Sequence, residues 1–93
     1  MSRKAENLLE RMRNSKKGWK RKDLESLYTG FGFIIKNSGG PHDTVVHPEF
    51  PELITSLPRH KKLAVYIVSQ AIKMVDRLKH LESTRKREKP HDE

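Results

Sequence analysis

The residues with the clearest capacity for chemistry lie in Asn37-Ser38-Gly39-Gly40-Pro41-His42-Asp43. Two glycines and a proline in succession fix a tight reversal there, and the reversal delivers His42 to the start of the next extended run. Imidazole, with an unperturbed pKa of about 6.5, takes or gives a proton near neutral pH. A histidine held out by a glycine-rich turn on a small chain of net charge +8 points to RNA chemistry. A metal-dependent alternative has little to build on. The five histidines contain no i, i+4 pair, there is no cysteine, and the acids do not cluster near the imidazoles.

The surrounding composition narrows the setting. Ninety-three residues make one domain with a small core, so each apolar position matters. Lack of cysteine excludes a disulfide framework and suits a reducing, cytoplasmic compartment. The longest uncharged helical run, Leu63 to Ile72, falls short of the ~20 residues needed to cross a bilayer, and the first residues lack an apolar signal core. Charge is uneven. Residues 1–22 hold nine Lys/Arg and two acids, residues 23–63 four and five, and residues 64–93 seven and five. A cationic N-terminal segment favours a polyanion through counterion release, with nucleic acid first and an acidic protein second.

The elements that must position His42 follow from hydrophobic periodicity. Ser2 can cap a first helix whose stripe is Ala5, Leu8, Leu9 and Met12, ending near Asn14 to Gly18. A second helix is predicted from about Lys22 to Thr29, closed by Gly30 in a left-handed conformation. Phe33 to Asn37, His42 to His47 and Leu53 to Leu57 read as three strands. In the second, His42, Thr44 and Val46 share one face and Asp43, Val45 and His47 the other, and the pattern leaves open which is inward. Connections this short require an antiparallel meander. A last helix from about Leu63 to Leu81 carries a broad stripe suited to covering the sheet. Residues 83–93 read as a mobile charged tail. Trp19, Tyr28 and Tyr66 are expected in the core, His47 at a strand-end surface, and His80 and His91 on exposed helix and tail.

With the elements in this order, the chain resembles the HicA mRNA interferase toxins of bacterial toxin–antitoxin pairs. The resemblance covers about residues 20 to 80. It rests on Lys22-Asp23-Leu24-Glu25 with Leu27, on Gly30-Phe31-Gly32-Phe33, on the glycine turn before histidine, on Val46-His47-Pro48 and on Pro58-Arg59-His60. It implies an α+β, dsRBD-like α-β-β-β-α fold, with a three-stranded antiparallel sheet covered on one face by helices. To that, this chain adds an extra N-terminal helix. The division expected is an N-terminal basic helix and linker (1–18), a HicA-like domain (19–82) and the tail (83–93). The family turn usually reads Gly-Ser-His, whereas here it reads Gly40-Pro41-His42-Asp43, so a hydroxyl is missing and an acid is added.

By this resemblance His42 is the catalytic residue of a metal-independent, cofactor-free endoribonuclease. RNA is cut without metal when its own 2′-hydroxyl attacks the adjacent phosphorus, which needs a base near neutral pKa and a proton for the leaving 5′-oxygen. Lys36, Arg59, His60 and the amides of Gly39 and Gly40 are candidates to hold the phosphate. His47 and His60 are candidates for the second proton transfer. The implied partners are mRNA and a HicB-like antitoxin with an acidic contact face. The alternatives are a catalytically inactive RNA-binding module, disabled at Pro41 and Asp43, and a protein-interaction domain using residues 1–18 as an arm.

Overall fold

The sheet is built from β1 (Ile34–Asn37), β2 (His42–Val46) and β3 (Ile54–Pro58), in the order β1-β2-β3 with both pairings antiparallel. These coordinates come from a computed structural model, which describes residues 3–37, 39–58 and 64–88. Three helices complete it: α1 (Arg3–Asn14), α2 (Arg21–Gly30) and α3 (Val65–Glu88). The arrangement is α+β, compatible with α-β-β-β-α preceded by one further helix. No helix among the described residues is long and apolar enough to cross a membrane.

α3 supplies the buried stripe Val68, Ala71, Ile72, Met74, Val75 and Leu78 at the spacing of one helix face. It runs on through Glu88, beyond the expected end near Leu81, and part of the segment read as a tail is therefore helical. Leu24, Leu27 and Tyr28 of α2 meet that stripe together with Val45, Leu57, Phe33, Phe50 and Leu53. The turn between β2 and β3 is closed by Phe50 N–H on the His47 carbonyl (3.3 Å) and Leu53 N–H on the Phe50 carbonyl (2.9 Å). Pro48 and Pro51, both in this turn, stay outside the ladder, as their missing amides require.

α1 is docked on the other helices. Its buried Ala5, Leu9 and Met12 belong to the same core as α2 and α3, and Met12 is fully buried. Arg13 grips Asp76 of α3 with two hydrogen bonds (3.1 and 2.5 Å), and Lys79 reaches Glu6 (2.8 Å).

The α2 terminus corrects the expectation for Gly30. Gly30 keeps helical φ, and the left-handed residue is Gly32 (φ 91°). Gly32 N–H bonds the Thr29 carbonyl (3.1 Å) and Phe33 N–H the Tyr28 carbonyl (3.0 Å), which is the Schellman pattern. Its usual apolar contact is the edge-to-face pair Tyr28–Phe33, with centroids 5.3 Å apart. Gly30 is small for another reason. A Cβ there would stand 2.5 Å from the Ala5 Cβ, so the glycine sets how closely α1 crosses α2.

Candidate functional site

Strand alternation and one buried acid decide which way His42 faces. Asp43 (4% exposed) and Val45 point into the helical layer, and Leu57, the register partner of Asp43, is buried beside them. His42, Thr44 and Val46 therefore belong to the uncovered face. On that face the register lays out Ile34, Val46 and Ile54 as one cross-strand row, Lys36, Thr44 and Ser56 as the next, and His42 opposite Pro58 at the rim. His42 is exposed. Lys36 and Ser56, each opposite Thr44, are its diagonal neighbours, and such pairs have Cβ atoms about 7–8 Å apart, within reach of a lysine side chain.

The turn before His42 is shaped by a side chain. Asn37 accepts the Gly39 N–H at 2.7 Å, an Asx-type reversal, and Gly39 takes φ 86°. The Gly39 amide proposed for phosphate is thus already engaged. Among the described residues other than their chain neighbours, nothing lies within 4 Å of where a Cβ would stand on Gly39 or Gly40, so the backbone is open to an approaching anion. Arg59 and His60, the other expected phosphate ligands, lie outside the described residues, as does Ser38.

Arg21, which the sequence did not single out, is the organiser of this end. Its Nη2 pairs with the Asp43 carboxylate, its Nε with Glu25 (2.5 Å), and its Nη1 with the Pro58 carbonyl (3.3 Å). One guanidinium thus holds the residue after His42 and the residue opposite it. Burial on its own would lower the Arg21 pKa, but the hydrogen bonds to Glu25 and Asp43 outweigh it and the group sits above its ordinary value. Asp43 therefore faces its cation on the covered side of the sheet, away from the surface a phosphate would approach.

His47 is not brought beside His42, and it is no surface residue. It is 6% exposed, with its ring perpendicular to Phe33 (5.0 Å) and tilted against Phe50 (5.5 Å). Its Nδ1 accepts the Glu49 N–H at 3.1 Å, which leaves the other nitrogen protonated in the neutral ring. It lies five residues from His42 on the opposite face, about 16 Å along the strand.

His42 opens onto a small cleft of about 80 Å³, lined also by Tyr28, Ser56, Pro58, Tyr66, Ile67 and Gln70. Tyr28 is core, as expected, and burial pushes its hydroxyl well above the ordinary tyrosine value. Tyr66 is the opposite of its expectation: 69% of it is exposed, in the first turn of α3. Trp19 is half-buried, with its indole N–H on the Ser15 carbonyl (2.6 Å) and Arg11 over its ring (5.4 Å).

Both ends of the sheet carry paired charges, Arg21 with Glu25 and Asp43 at the His42 end and Arg85 with Glu49 at the other. Lys20, Arg21 and Lys22 open α2 at the His42 end, where Arg21 touches Pro58, and Lys36 lies nearby on β1. The acids Glu49 and Glu52 occupy the turn at the far end. No family model, curated protein or solved structure matches the chain. Among the described residues no group of three or more His, Asp or Glu side chains could hold a metal ion. What the site offers is one exposed imidazole, an ammonium on the same sheet face, open glycine backbone and an exposed aromatic ring lining the same small cleft.

Sequence reasoning missed Arg21 and Tyr66 for different reasons. Arg21 carried a signal, since an acid alternating in phase with Val45 needs a buried cation. Tyr66 carried none, because it occupies a helix rich in apolar residues.

Proposed function

We propose that the protein is a metal-independent endoribonuclease of the HicA toxin type, cleaving mRNA in the cytoplasm and neutralised by a HicB-like antitoxin. The observation that carries this reading is His42 standing exposed at the rim of the sheet, with Lys36 diagonal to it on the same face. His42 takes the proton of a 2′-hydroxyl, the 2′-oxygen attacks the adjacent phosphorus, and the bond to the 5′-oxygen breaks as that oxygen gains a proton from water. Lys36 opposes the charge gathering on the phosphoryl oxygens, and the cationic start of α2 draws in the strand. The products are a 2′,3′-cyclic phosphate and a 5′-hydroxyl end. Single-stranded RNA incubated with the purified protein in EDTA tests it: cutting to those ends is expected, and its persistence after His42→Ala would refute the assignment.

A second reading is an RNA-binding module of the same architecture without catalysis. It is favoured by the absence of a second imidazole or a carboxylate beside His42 among the described lining residues. It predicts salt-sensitive binding with the RNA recovered intact.

A further inference from the structure

Tyr66 presents an aromatic ring to solvent, 69% exposed, where an amphipathic helix would ordinarily turn a polar residue outward. Among the described residues its side chain makes no hydrogen bond, ion pair or ring contact. It lines one cleft with His42, together with the apolar Pro58 and Ile67, the hydrogen-bonding Ser56 and Gln70 and the buried Tyr28. Gln70 is fixed there by its hydrogen bond to the Thr55 hydroxyl (2.6 Å). A space of about 80 Å³ holds two or three waters and is too small to enclose a purine or pyrimidine. A flat ring can nonetheless lie across its mouth with one face on tyrosine and an edge toward the polar side chains.

We infer that Tyr66 is a stacking platform for a nucleobase of single-stranded RNA, the base neighbouring the phosphate held at His42. This rests on the reading of His42 as an RNA-facing group and adds the chemical class that the cleft takes. Three features select a nucleobase over an apolar peptide side chain. The strand end that carries His42 also carries Lys36 on β1 and, through the contact of Arg21 with Pro58, the start of α2 with Lys20 and Lys22; an imidazole lines the same cleft as the ring; and Ser56 and Gln70 line it too, where an apolar anchor needs a dry pocket. Paired RNA keeps its bases stacked inside the helix, so the platform also selects unpaired strands.

The test uses the full-length parent chain and a fluorescein-labelled single-stranded 2′-O-methyl RNA 12-mer, which has no 2′-hydroxyl to attack and so stays uncut, followed by anisotropy. Tyr66→Ala is expected to weaken binding about tenfold, and Tyr66→Phe, which keeps the ring, to stay within about twofold of the parent. Retention on heparin, a polyanion without bases, is expected to stay the same in all three. With 4-thiouridine in the RNA, photocrosslinking is expected to map to Tyr66. Equal RNA affinity for the alanine and phenylalanine variants overturns the platform while leaving His42-dependent cutting by the parent chain intact. A Tyr66→Ala chain that keeps RNA affinity but loses a protein partner assigns the ring to protein docking and also overturns it. A parent chain that neither binds nor cuts RNA removes the platform and the nuclease reading together. Circular dichroism of the exposed-site variants shows that the fold is retained.

Discussion

Arg21 and Asp43 form an ion pair that spans from the first turn of α2 to the second residue of β2, and the same guanidinium holds the Pro58 carbonyl. The carboxylate is almost wholly buried and the guanidinium mostly so. Truncating one partner strands the other's charge, so Arg21→Ala or Asp43→Ala is expected to cost about 3 kcal/mol in urea unfolding. The double substitution is expected to cost less than the sum of the singles. Strict additivity would show that the two side chains do not act as a pair.

The two strand-end histidines separate function from stability. His42→Ala is expected to leave the unfolding free energy within about 0.5 kcal/mol and to lower RNA cutting by about a hundredfold or more. His47→Ala removes a ring packed between Phe33 and Phe50 and is expected to cost about 2–3 kcal/mol. Parallel denaturation and cleavage assays read both, and a destabilised His42 variant with full activity would reverse the assignment of roles.

Gly30→Ala sets helix propensity against packing. In isolation the change favours a helix by about 1 kcal/mol, yet the new methyl would stand 2.5 Å from the Ala5 Cβ. Overpacking of this kind costs about 1–3 kcal/mol, so net destabilisation is expected. Adding Ala5→Gly is expected to recover part of it in thermal melts. A Gly30→Ala chain more stable than the parent would mean that α1 does not sit against α2.

Tyr28 gives the alkaline limb of stability a definite sign. Its hydroxyl is raised by burial above the ordinary value of 10, so above pH 10 the unfolded chain loses that proton while the folded chain keeps it. The folded state then binds more protons, and stability falls as pH rises, by up to about 1.4 kcal/mol per pH unit from this one group. Below pH 10 the group contributes no slope. Urea midpoints from pH 9 to pH 11 should fall less steeply for Tyr28→Phe than for the parent, and identical slopes would rule out the buried hydroxyl as the cause.

The sequence was informative where a period repeats and silent where a single residue decides. The stripes of α1 and α3 and the two proline-bounded reversals place the helices and strands to within a few residues, except for the end of α3, which continues past Leu81 to Glu88. β2 is five residues long, too short for its alternation to choose a face, since a carboxylate and a histidine stand in phase with Val45. The choice is made by Arg21, which is distant in sequence and gives Asp43 a charge partner inside. Two glycines two residues apart at the α2 terminus divide two tasks, and composition does not say which takes the left-handed turn and which the close crossing. The candidate site shows the same division. The His42 turn is legible in its glycines, whereas the engagement of Gly39 by Asn37 and the exposure of Tyr66 depend on neighbours brought together only by the fold.

Because Leu9 and Met12 plug the seam between α2 and α3, clamped at either end by Arg13–Asp76 and Glu6–Lys79, the leading helix works as a keystone. A version beginning at Trp19 would have to shield that groove with something else, and self-association is the cheapest remedy open to it. Any tag or fusion at the front must leave this wedge free to seat.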